Sequence, residues 1–208
     1  MDLNNYFQKY KSNSLLGAIS YQINIMDSMD IKIIKTVELL NKQLNLKYRK
    51  NYNINFIVLI MRLIYNSYSV ISNLPHMLDK VTVDGKPCLH IIMSESIAQL
   101  VSISLSSECY HVLDEYLKKI HKKEQYILDL KKIFIKIFSD IPNINVDNLL
   151  DNSAKKDLKD HCENTRERIL SNTEKLCYEY YNYMAKISKH ENINKIGDIT
   201  NNIEHLVN

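Results

Sequence analysis

Three cysteine–histidine neighbours are the residues whose types first suggest chemistry: Cys88-x-His90, Cys109-x-His111 and the adjacent pair His161-Cys162. Thiolate and imidazole are common zinc ligands, and a Cys–His pair is also the working core of a thiol hydrolase. The spacing supports neither strongly. No two cysteines stand in a C-x-x-C arrangement, the usual mark of a structural zinc site. On a strand, Cys88 and His90 would share a face. On a helix, Cys109 and His111 point to nearly opposite sides. Cys109 falls on an apolar stripe and His111 off it, the pattern of a small buried thiol beside a solvent-facing imidazole. No nucleophile elbow, phosphate loop, dinucleotide fingerprint or His-Glu-x-x-His motif occurs. Three glycines in the whole chain leave little from which to build a backbone cradle for phosphate. The expectation is a non-enzymatic protein with no metal and no cofactor.

Two other clusters point to binding. Lys118, Lys119, Lys122 and Lys123, extended by Lys131, Lys132 and Lys136, give seven lysines against three acids over residues 115–136. Such a face can hold a nucleic-acid backbone non-specifically and in a salt-sensitive way, with Tyr116 and Tyr126 available for stacking. Arginine, which grips phosphate and guanine bidentately, numbers only four. Tyr178, Tyr180, Tyr181 and Tyr183 crowd one stretch of the last helix. They cannot all face one core, so at least one or two should be exposed as anchors for a protein partner or a second copy. The segment Ile127–Phe138 also has the form of an interfacial amphipathic helix, a form shared by core-facing helices.

Ile193-Asn194-Lys195-Ile196-Gly197-Asp198 resembles the core of a BH3 segment, with two apolar anchors followed by Gly-Asp. The resemblance covers about ten residues. It departs from the pattern at Thr200 and Lys189, where the other apolar anchors belong. It implies docking into the hydrophobic groove of an apoptosis regulator. Helical viral modulators with a Bcl-2-like fold are generically similar to this chain, but their Gly-Arg signature is missing.

The elements that would carry these residues are helices. Three glycines and three prolines cannot punctuate a strand-rich fold. Residues 3–26 read as helical, whole or broken near Ser12–Ser14, with Leu15, Leu16, Ile19, Ile23 and Met26 in a stripe. Ser28 or Asp30 can cap a second helix over 30–46. A third, about 54–72, is apolar around most of its circumference and should be the one others pack around. Its uninterrupted apolar run is six residues, Phe56 to Met61, too short to span a membrane.

Val81-Thr82-Val83 and Cys88–Ile92 flank Asp84-Gly85-Lys86-Pro87, so a small β-hairpin or an irregular loop fits residues 76–93. From Ser94, a cap, a stripe of Cys109, Leu113, Tyr116, Ile120, Ile127, Leu130, Phe134, Ile137 and Ile141 predicts one long helix, with a break expected near Ser106–Ser107. Pro142 ends it. Over about 153–189, Leu158, Ile169 and Tyr180 recur every 11 residues, as do Thr165, Leu176 and Ile187, and Cys162, Thr173 and Met184. That period keeps a nearly straight stripe, as in a coiled coil. Residues 108–141 and 153–187 should pair as an antiparallel hairpin.

Asn, Ile, Lys and Tyr make up 88 of the 208 residues, a bias that follows A/T-rich codons. It weakens a functional reading of any single lysine or asparagine and suits a viral or parasite factor acting on a host protein. The net charge of +3 demands no nucleic-acid partner. Its distribution is uneven, since residues 1–53 carry eight basic and four acidic groups. Dispersed cysteines, no Asn-x-Ser/Thr sequon and no secretory signal pattern point to an intracellular, cytoplasmic setting, or the cytoplasm or nucleus of a host cell. The fold expected is all-α: a single helical bundle with a long C-terminal antiparallel helical hairpin and a small β-hairpin near 81–92. Residues 1–93 would be the core, 94–190 the helical hairpin of the same unit, and 191–208 a polar tail. The function expected is a helical protein-interaction module, monomeric or oligomeric, with non-specific nucleic-acid binding as the alternative.

Overall fold

The computed structural model describes the backbone of residues 15–25, 28–49, 54–120, 123–139 and 154–207, and the side chains of all of these but 55, 120, 139, 154–159, 161, 162 and 190–207. The fold is all-α with one minimal sheet. Its elements are α1 (Leu16–Asn24), α2 (Ser28–Tyr48), α3 (Asn55–Ser72), β1 (Thr82–Val83), β2 (Lys86–Pro87), α4 (Leu89–Ile92), α5 (Glu95–Ile120), α6 (Glu124–Ser139) and α7 (Ala154–Val207).

Helix α3 is the axis of the bundle. Phe56, Ile57, Leu59, Ile60, Met61, Leu63 and Tyr65 are all buried. A run buried on every face must be surrounded, and α3 packs on α1, α2, α5 and α7. Its most extensive neighbour is α5, which runs antiparallel to it. Phe56 meets Tyr116 near one end. Towards the other, Ser67 and Ser102 each donate a hydroxyl hydrogen bond to the other's carbonyl at 2.9 Å. Small serines at that crossing let the backbones approach closely.

The expected long helix is two helices. The chain reverses between α5 and α6, and not at Ser106–Ser107, which lie inside α5. In one continuous helix Tyr110 and Phe138 would be about 42 Å apart. Their rings instead meet edge to face at 6.2 Å. The reason is the length of α3. At 18 residues it spans about 27 Å, far too short to cover a straight helix from 94 to 141. Folding back brings Leu130, Phe134 and Ile137 onto the same core.

Helix α6 then pairs antiparallel with α7, so of the stretch 108–141 expected in that hairpin only the α6 part lies along α7. Asn172 Nδ2 donates to the carbonyl of Ile137 (3.4 Å) and Tyr183 to Asp129 Oδ2 (2.9 Å). The 11-residue stripe of α7 faces inward, with Thr165, Ile169, Thr173, Leu176, Tyr180 and Ile187 buried. The helical backbone continues through the polar stretch 190–207. Residues 1–14, the Pro142 linker and Cys162 lie outside what is described.

The hairpin at 82–87 is present, but its second arm is shorter than expected. Thr82 pairs with Pro87 and Val83 with Lys86, around Asp84 (φ 47°) and Gly85 (φ 78°). Two positive φ values in a two-residue turn match the right-handed twist of the strands. Pro87 sits where the ladder asks for no N–H, and the next ladder bond is made by Cys88 N–H to the carbonyl of Val81 (2.8 Å). Residues 89–92 form a helical turn, not a strand, and bury Leu89.

The hairpin also closes the corner between α1 and α2. Asp84 Oδ2 accepts the N–H of Ser28 at the start of α2 (3.1 Å). Lys86 Nζ donates to the carbonyl of Asn24 at the end of α1 (2.7 Å). Each charge therefore lies at the helix end whose dipole it complements. The expected capping role of Ser28 or Asp30 falls to Asp84. Ser94 does cap α5, accepting the N–H of Ile97 at 3.2 Å.

Candidate functional site

The four tyrosines of α7 divide by helical phase. Tyr180 and Tyr181 are 1% and 0% exposed, so they belong to the core and are not partner anchors. Tyr180 lies on the 11-residue stripe and packs edge-on against Phe56, with centroids 5.3 Å apart. Tyr181 turns towards α2, where its hydroxyl is hydrogen-bonded to the side-chain oxygens of Asn41 (2.7 Å) and Asn45. The half-buried Tyr183 donates to Asp129, and desolvation together with that carboxylate raises its hydroxyl pKa. Tyr178 alone is exposed, at 40%.

The lysine face is partly neutralised. Asp114 on α5 holds Lys118 at 2.6 Å and also Lys131 across on α6. Hydrogen bonds from these two lysines keep its carboxyl below the ordinary 3.8. Lys132 is 3.8 Å from Asp129. Lys119, Lys123 and Lys136 are exposed, and Lys122 lies outside the described residues. This surface alternates sign and does not form one cationic strip.

The three cysteines whose side chains are described show no poised nucleophile. Cys88, Cys109 and Cys177 are buried free thiols. Burial raises all three, Cys109 and Cys177 to about 12. A reactive thiol needs the opposite shift. Cys109 donates to the carbonyl of Ser106 (2.8 Å) while His111 faces out, as the helical spacing implied. No group of three or more His, Cys, Asp or Glu among the described residues could hold a metal ion. Cys88 and His90 both line a small cavity of about 10 Å³, with Gln22, Asn66, Ser69 and Asn73. Asn73 Oδ1 and His90 Nε2 are buried there without a partner among the described residues. That volume is about the room of one water molecule.

A larger concavity was not foreseen. Where α5 and α6 fold together, a groove of about 510 Å³ opens between them. Ser107, Tyr110, His111 and Asp114 form its α5 wall, Lys131 and Ile135 its α6 wall, and Leu113 its floor. Tyr110 and Ile135 are both about half exposed, and Leu100 and Ile103 are exposed on α5 beyond the groove. Leu100, Ile103, Ser107, Tyr110 and Asp114 recur at intervals of three and four, one straight row on the helix. The Asp114–Lys131 pair ties the two walls together at one end. The signal in the sequence was this second row on α5, opposite the Cys109–Leu113 stripe. It became meaningful only once the helix was known to fold back.

The fold and groove define a helical bundle with an open interhelical cleft. Comparison with protein-family models finds no match for the chain, and neither does comparison with curated proteins. No helix among the described residues is long and apolar enough to cross a membrane.

Proposed function

We propose that this chain is a non-enzymatic interaction protein whose α5–α6 groove receives an amphipathic helix of a protein partner. The observation that supports this reading is the cleft of about 510 Å³ whose two walls present the half-exposed Tyr110 and Ile135, with Leu100 and Ile103 exposed further along the same row of α5. Helix-in-groove recognition uses anchors at i, i+3 or i+4, and i+7, and buries side chains of this kind. The A/T-biased composition suits a viral or parasite factor with a host protein as that partner.

The test replaces Tyr110 with a photo-crosslinking residue in the full chain and exposes it to cell extract with and without nuclease treatment. A second chain carries Ile103→Glu and Ile135→Glu as well. Both substituted side chains are more than half exposed, so the fold should be retained, checked by an unchanged Tm. The reading holds if one partner is crosslinked through a segment with apolar residues at helical spacing, and if the double variant loses it. Crosslinking unaffected by the variant would remove the groove from the reading. Capture that vanishes on nuclease treatment would move function to Lys118, Lys119 and Lys123.

A further inference from the structure

The solvent face of α2 has an arrangement that a purely structural helix does not need. Leu46 is 80% exposed and Leu39 60%, the first of these the most exposed large apolar residue among those described. On the helical wheel these two leucines stand at the centre of the outward face, opposite Ile33, Val37, Leu40 and Leu44, which enter the core. Lys32, Lys35, Leu39, Lys42 and Leu46 follow at spacings of three and four, a single row about 21 Å long. Glu38 is the one acid exposed on α2. The three lysines of this row have no carboxylate partner among the described residues, unlike Lys118 and Lys131 on α5 and α6.

A cationic row with protruding leucines at its centre fits a surface that is anionic, flat and yielding. Nucleic acid would use the lysines and leave the leucines in water. A groove on a protein would need them to be received one by one. An anionic bilayer uses both parts: the headgroups attract the lysines while the leucines enter the acyl boundary. We infer that α2 docks this protein onto anionic phospholipid membrane, lying in the interface without spanning it. This inference is independent of the α5–α6 groove, which lies on other helices.

The experiment is flotation of the full chain with vesicles of phosphatidylcholine alone and of phosphatidylcholine mixed with phosphatidylserine. Two variants accompany it, Lys35→Glu with Lys42→Glu, and Leu39→Ser with Leu46→Ser. All four side chains are exposed, and circular dichroism confirms that the helices persist. The expected result is flotation only with phosphatidylserine, weakening as salt is added. The charge variant should lose about thirtyfold or more in partitioning, from the loss of two basic residues at a charged surface. The leucine variant should lose at least about tenfold. Ile103→Glu with Ile135→Glu should float as the parent does, which separates this inference from the groove reading. Absent or equal flotation with both vesicle types overturns the proposal. So does binding that the charge variant loses and the leucine variant keeps, the behaviour of a nucleic-acid or acidic-protein site.

Discussion

The two ends of the buried stretch Phe56–Asn66 of α3 are held by opposite kinds of chemistry. At its start, Phe56 stacks on Tyr116 at 4.0 Å, lies 5.6 Å from Phe134 and is met edge-on by Tyr180. Helices α3, α5, α6 and α7 converge on that one ring. In its middle turns, α3 presents Arg62 and Asn66 to Asp30 of α2. Arg62 Nε donates to Asp30 Oδ1 at 2.8 Å, and Asn66 Nδ2 lies 3.2 and 3.3 Å from the two carboxylate oxygens. Gln22 of α1 closes the network onto Asn66 at 3.3 Å. All four side chains are buried. The aromatic end is held by area and dispersion, which are tolerant of angle. The polar end is held by directional bonds, which fix the register of α1 and α2 on α3.

That difference dictates how each end fails. Phe56→Ala should be the most damaging single change, costing about 3–5 kcal/mol, because four helices lose their shared contact and a cavity remains. For a chain of this size, thermal unfolding should show a drop of roughly 10 °C or more. A drop under a few degrees would mean that the helices collapse into the space and that the cluster is not a keystone. No second substitution nearby should restore the loss short of another large ring.

The polar end should break nearly as badly but be repairable. Arg62→Met leaves the Asp30 carboxylate buried without its cation, at a cost of about 3 kcal/mol or more. Adding Asp30→Leu removes the stranded charge, and the pair together should regain most of the stability, since a buried ion pair is often no better than apolar residues of similar volume. A double-mutant cycle by denaturant unfolding measures this directly. Additive losses would show that the network contributes net stability and not only register.

The sequence displayed these two ends unequally. The apolar circumference of 54–72 marked α3 as the central helix, and the 11-residue recurrence correctly turned Ile169, Leu176 and Tyr180 inward. Asp30 read as a helix cap because its partner, Arg62, is 32 positions away and nothing local announces the pair. The capping work is done by Asp84, which is 56 residues from Ser28. The same distance effect hid the groove. Periodicity reports which side of a helix is apolar, but not where the helix folds back, so one stripe from Cys109 to Ile141 looked continuous. Four neighbouring tyrosines looked like a surface because composition counts them together, whereas helical phase sends Tyr180 and Tyr181 to the core and Tyr178 out.

The smallest effect concerns the tie across the groove. Asp114 is held below its ordinary 3.8 by Lys118 first and Lys131 second. A carboxyl with a depressed folded-state pKa stabilises the fold above its unfolded value, and that contribution is lost as pH falls through the folded value. The group is open to solvent, so screening leaves at most about a few tenths of a kcal/mol. Asp114→Asn should therefore lower Tm by about 1 °C near neutral pH, and the difference from the parent should shrink steadily as pH drops below 3.8. Added salt should shrink it as well. Because Lys131 stands in the groove wall, the same variant should loosen that end of the cleft and speed release of a bound helix more than it alters stability. A gap in Tm that persists unchanged in acid would show that the substituted amide is penalised for packing or polarity, and that the ion pair does not hold the walls together.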